Sequence, residues 1–130
     1  MTDPLAEKLP IDPSDHARIQ ACLKALDDRK AEHLTVLDVR GQSTVTDYMI
    51  MATGNSQPHL RALRVAAEEA FKETGSEILG TDNVPESGWV VVDGYDIMVH
   101  LFTEEMREYY RLEALWKDAQ ELPVDLDGAA

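Results

Sequence analysis

Only one cysteine, Cys22, occurs in 130 residues, which excludes an intramolecular disulfide and a thiolate zinc cluster. Its spacing from Ile19, Leu23 and Leu26 places it on the apolar face of a helix, as a small buried hydrophobe. Basic residues are scarce: 12 Lys and Arg against 25 Asp and Glu leave a formal charge of −13. Docking on nucleic acid needs clustered cations that release counterions from phosphate, so no direct nucleic-acid specificity is expected. No apolar run approaches the roughly 18 residues of a membrane span. The opening MTDPLAEKLP lacks the apolar centre of a signal peptide, so the cytoplasm is expected by elimination.

Sites for cofactors and catalysis are equally thin. Thr53-Gly54-Asn55-Ser56 resembles a strand-to-helix junction, but it has neither the lysine of a phosphate loop nor the third glycine of a dinucleotide fingerprint. His16, His33, His59 and His100 are scattered, with no metal-ligand spacing among them. His100 reads as a hydrogen-bonded core histidine, and His59 is placed to bond the loop beside a helix start. Asp47, Asp93 and Asp96 offer acids for metal-assisted phosphoryl transfer, yet Asp93 and Asp96 stand in a turn that favours Asp for backbone reasons alone. No nucleophile motif is present. No metal, no cofactor and no catalytic residue are expected.

What is present is a chain long enough to bury roughly two-thirds of its unfolded surface in one core. Residues 1–13 carry three prolines and read as a flexible leader. Ser14 offers an N-cap to a helix with buried Ile19, Cys22, Leu23 and Leu26, reaching about Lys30. Leu34–Val39 and Thr46–Ala52 are strands joined through Gly41. Ser56 caps a second helix with Pro58 in its first turn and Leu60, Leu63, Ala67, Ala70 and Phe71 at helical spacing. Ser76–Leu79 is a short strand candidate before an irregular 80–88 stretch. Trp89–Val92 and Ile97–Phe102 flank Asp93-Gly94-Tyr95-Asp96 as a hairpin, apolar on both faces, which suits central strands or a face kept for a partner. Thr103 caps a last helix to about Gln120, and residues 121–130 read as a disordered acidic tail. The expected fold is α/β (α+β): one mixed sheet of about five strands with helices packed on it, in a single domain over 14–120.

Charge and aromatics gather in one half. Residues 75–102 hold Glu77, Asp82, Glu86, Asp93 and Asp96 and no Lys or Arg, and six of the eight aromatics fall in the last 42 residues. Acids interleaved with Trp and Tyr suit a basic protein partner.

Three ordered segments carry a family likeness. Thr46-Asp47-Tyr48-Met49-Ile50 running to Thr53-Gly54-Asn55-Ser56 with His59 is the first. Trp89-Val90-Val91-Val92-Asp93 with Asp96-Ile97-Met98-Val99-His100 is the second, and Glu105-Met106-Arg107-Glu108-Tyr109-Tyr110-Arg111-Leu112-Glu113-Ala114-Leu115-Trp116 is the third. Together they resemble the ribosomal silencing factor (RsfS, or Iojap) family. One departure is in the hairpin loop, where the family's glycine stands at the place of Tyr95 and this chain has Gly94. Another is upstream of the tryptophan, where Asp82-Asn83 replace an acid followed by glycine. The resemblance implies a nucleotidyltransferase-like topology without that superfamily's catalytic signature. It also implies binding to ribosomal protein fourteen of the large subunit, a basic protein on the subunit-joining face, so that the small subunit is blocked. A link to late large-subunit assembly comes with it. Trp89, Asp93, Tyr95, Asp96, Met106, Arg107 and Tyr110 are the expected partner-binding residues. The alternatives are a metal-dependent nucleotidyltransferase-like enzyme using Asp47 and Asp93, or a self-associating module that forms a homodimer when free.

Overall fold

The computed structural model describes residues 11–41, 46–75, 78, 80–84, 88–111, 114, 119–122 and 124. Its first helix, α1 (Pro13–Asp28), begins one step before the expected cap. Asp12 is the N-cap, its carboxylate accepting the Ser14 N–H at 2.8 Å, and Pro13 occupies the first helical position, where no amide is needed. Ile19, Cys22, Leu23 and Leu26 are its buried stripe, as their spacing demands.

Strands β1 (Glu32–Asp38) and β2 (Tyr48–Gly54) pair antiparallel. At the end of β1 the buried Asp38 carboxylate takes the Arg40 guanidinium in two bonds, 3.0 and 2.8 Å. Helix α2 (Gln57–Glu73) starts where Ser56 Oγ accepts the His59 N–H, with Pro58 in its first turn. The next strand corrects the sequence reading. β3 (Gly80–Val84) lies in the stretch expected to be irregular, whereas the expected strand at 76–79 falls, apart from Ile78, outside the described residues. It pairs antiparallel with β4 (Trp89–Asp93), and β4 with β5 (Ile97–Thr103).

The last expected helix is interrupted at Arg111; Ala114 is again helical, and 112–113 and 115–118 lie outside the described residues. α3 (Glu104–Tyr110) is capped by Thr103 Oγ1, as expected, but Arg111 turns left-handed at φ 47° and closes it. β6 (Gln120–Leu122) then adds to the outer edge of β1, in the place given to the helix end and the start of a disordered tail. A three-residue strand has no periodicity to read; an open strand edge elsewhere in the chain creates it.

The sheet therefore has six strands, in the order β3-β4-β5-β2-β1-β6, and β2–β5 is its one parallel pair. The single mixed sheet is as expected; β6 raises the strand number. Period-2 alternation sends Val36, Tyr48, Ile50, Ala52, Val90, Val92, Val99 and Leu101 to one face, where α1 and α2 cover them. The other face holds a smaller cluster of Leu37, Val39, Met49, Met51 and Phe102, with Trp89, Met106 and Ala119 packed against it. Among the described residues no helix is long and apolar enough to cross a membrane.

Candidate partner-binding face

β4 alternates between Val90 and Val92, buried under α1 and α2, and half-buried Trp89, Val91 and Asp93, which face away from them. Met98, opposite Asp93 in the ladder, is half-buried on the same side. An apolar surface thus runs along the β4–β5 hairpin.

Trp89 anchors one end. It sits opposite Phe102, tilted against that ring at 5.6 Å and against His100 at 5.9 Å. Its indole N–H donates to His100 Nδ1 at 3.1 Å. An indole nitrogen can only donate, so Nδ1 is the bare nitrogen and Nε2 carries the proton. That Nε2 is buried and has no partner among the described residues. Burial pushes the histidine down to about 4, so the ring is neutral near pH 7. A net hydrogen bond returns about 0.5–1.5 kcal/mol, whereas an orphaned buried donor costs about 1–3 kcal/mol. His100 is the hydrogen-bonded core histidine expected, through Nδ1 alone.

Met106 lies beside this cluster, directly over Gly88. Gly88 has φ +73°, and a Cβ there would stand 2.9 Å from Met106 Cγ, so both conformation and space require glycine. Arg107 is turned inward. One of its terminal nitrogens donates to the His33 carbonyl and to Thr53 Oγ1, each at 2.8 Å, and the other to Thr35 Oγ1 at 3.0 Å. It ties α3 to β1 and β2. Tyr110 ends α3, and its side chain lies outside the described residues.

The other expected residues gather at the far end of the hairpin. Asp93 Oδ1 accepts the Tyr95 N–H at 2.9 Å, and the Asp96 N–H bonds the Gly94 carbonyl at 3.1 Å. That closes a three-residue γ-turn centred on Tyr95, whose φ of 76° is left-handed. Tyr95 is 66% exposed. The early glycine is explained by packing: a Cβ on Gly94 would meet the Ile97 carbonyl and the Phe71 ring at 3.0 Å each. Gly94 therefore meets a need for space while Tyr95 carries the backbone strain. Asp96 faces the Arg18 guanidinium at 3.6 Å, and its carbonyl accepts the Asp47 and Tyr48 N–H groups. Asp15, which shares Arg18 at 3.2 Å, has its carboxyl raised by burial first and by the Asp96 charge second.

The seven expected residues are thus not one cluster. Trp89, Met106 and Arg107 meet at one end; Asp93, Tyr95 and Asp96 lie about 13 Å along the strand at the other. Val91, Met98 and His100, which the sequence reading did not choose, connect them. Strict alternation in β4 was the signal that could have found Val91.

Other candidate chemistry is structural. His59 Nδ1 accepts the Asn55 N–H at 2.9 Å and Nε2 reaches the Arg29 carbonyl at 2.7 Å, joining the start of α2 to the end of α1. Cys22 is wholly buried, and burial pushes its thiol up to about 12, far from a reactive thiolate. Among the described residues, Glu32, His33 and Glu104 alone bring potential metal ligands together, and all three are exposed. Asp47, Asp93 and Asp96 do not form such a group.

Comparison with known proteins adds the family. Residues 12–130 match the family model described as ribosomal silencing factor during starvation. The chain is 34% identical over 115 residues to the ribosomal silencing factor of Halalkalibacterium halodurans, covering 88% of this chain and 97% of that one. It is 37% identical over 101 residues to the Bacillus subtilis ribosomal silencing factor, covering 78% and 86%. A crystal structure of a Chromobacterium violaceum protein superposes with a TM-score of 0.75 at 31% identity, covering 88% of this chain and 94% of that one.

Proposed function

The chain belongs to the ribosomal silencing factor family, and from that premise we propose that it docks on ribosomal protein fourteen of the large subunit and sterically blocks joining of the small subunit. It acts in the cytoplasm as a translational repressor, by occupying a surface and not by catalysis, with a further part in late large-subunit assembly. The half-open apolar face centred on Trp89 carries this reading. Trp89, Val91 and Met98 offer area to desolvate, and Asp93 borders it with the charge a basic protein would meet, while Asp96 is already paired with Arg18 of α1. The formal charge of −13 favours the same encounter at long range. When the protein is free, the same face is available to a second copy, giving a homodimer that competes with ribosome binding.

Co-sedimentation with isolated subunits tests the proposal. The protein should pellet with the large subunit, stay in solution with the small one, and bind less as salt rises. Binding to both subunits alike, or an affinity indifferent to salt, would overturn it. Light scattering over a concentration series tests the homodimer.

A further inference from the structure

His100 stands in the middle of β5, with Met51 and Val91 as its ladder neighbours and the Phe102 ring stacked on its own at 6.1 Å. It is 6% exposed. Every one of these neighbours is apolar, and an aliphatic side chain would fill such a place without leaving a polar atom unpaired. The single bond that Nδ1 makes does not offset the stranded Nε2–H, so stability gives no reason for a histidine here. What the ring does provide is one fixed acceptor, aimed at the indole of the half-buried Trp89.

We infer that His100 is a positioning residue for Trp89: it engages the indole N–H inside the protein, so that Trp89 meets its partner in one orientation and as an apolar ring surface. The inference rests on the docking face proposed above and names what that face recognises. With its N–H already bonded, the indole asks no acceptor of the partner. It suits an apolar side chain or a cation laid against the ring, and an arginine or lysine of a basic protein supplies both an aliphatic stem and a charge. Preorganisation is the gain, because the rotamer entropy of a large anchor is lost on folding and not on binding.

The test uses full-length protein carrying Trp116→Phe, which leaves Trp89 as the one tryptophan, with His100→Leu and His100→Asn added separately. Leucine fills the site without an acceptor. Asparagine keeps an acceptor oxygen near the place of Nδ1, with an amide N–H2 in place of the Nε2–H donor. Three quantities are read: denaturation midpoint, acrylamide quenching of Trp89, and co-sedimentation with large subunits. His100→Leu should keep or raise the midpoint, make Trp89 easier to quench, and weaken binding about tenfold. His100→Asn should restore quenching and binding towards the parent. Parental quenching and binding in His100→Leu would overturn the inference. So would a joint loss of stability and binding that asparagine does not rescue, since that marks a purely structural histidine. If the parent itself fails to pellet with large subunits, the docking proposal falls, and the quenching and stability readings still decide whether His100 holds Trp89.

Discussion

The two faces of the sheet are built from the same strands to opposite ends. Towards α1 and α2, Ile50, Ala52, Val99 and Leu101 are sealed under two long helices whose stripes of Leu23, Leu26, Leu63 and Phe71 match them. Away from those helices, the described cover is the seven-residue α3, held by Arg107 at one end, with Ala119 packed beside the cluster. Polar groups penetrate that second face at Thr53 and His100, and β4, next to the edge strand, leaves Trp89, Val91 and Asp93 half-buried. One side buries its apolar surface in folding, while the other leaves part of it half-buried, and it is this part that the proposed docking would use. A substitution should therefore act on stability or on binding according to the face it touches.

Phe71→Ala should break the comparison on the stability side. It removes a wholly buried ring beneath Gly94 and should lower unfolding free energy by ~3–5 kcal/mol in urea denaturation. Where the variant is still folded, its binding to large subunits should match the parent's. Trp89→Ala is the converse: a loss of ~2–4 kcal/mol in subunit binding, with a smaller change in the denaturation midpoint. Equal binding by parent and variant would remove Trp89 from the interface.

Acid should sharpen the contrast through His100. Folded, burial holds its pKa at about 4, against about 6.5 for a free histidine. Between those values the unfolded chain binds the proton and the folded chain does not. The contribution is thus fully present above 6.5 and declines as pH falls towards 4, by roughly 3 kcal/mol in all. Subtracting the pH profile of His100→Leu from that of the parent isolates it from the carboxylates; identical profiles would show that the ring does not titrate in this range.

The smallest effect is at the hairpin tip. Tyr95→Gly relieves a left-handed tyrosine and should raise stability by about 1 kcal/mol, while taking an exposed aromatic off the surface. Gly94→Ala, one residue away, should destabilise, because the added carbon meets the Ile97 carbonyl and the Phe71 ring. Equal effects at the two positions would contradict the division between packing at Gly94 and strain at Tyr95.

Much of the fold was legible because its signals are local. The Ser56 cap, the stripes of α1 and α2, and the β4–β5 hairpin each rest on residues within a few positions of one another. Element ends were less so: Asp12 displaced Ser14 as a cap, and a left-handed Arg111 closes α3 inside the span the apolar spacing gave to one helix. The candidate site was legible as a list and not as an arrangement. Trp89 and Tyr95 are neighbours in sequence and lie at opposite ends of a strand, because an extended chain separates what a short interval suggests is close. Arg107 looked like a surface contact, yet its acceptors are 54 to 74 residues away.

By itself, then, the sequence determined α1, α2, the start of α3 and four of the strands, a formal charge of −13, and the family. Tertiary structure decided which face of the sheet stays open, where β6 finds its edge, which way Arg107 turns, and that His100 answers to Trp89. Periodicity and capping are written within a turn or a strand and survive reading one residue at a time. Coverage and hydrogen-bond direction depend on strands and helices far apart in the chain, and they exist only once those segments have packed.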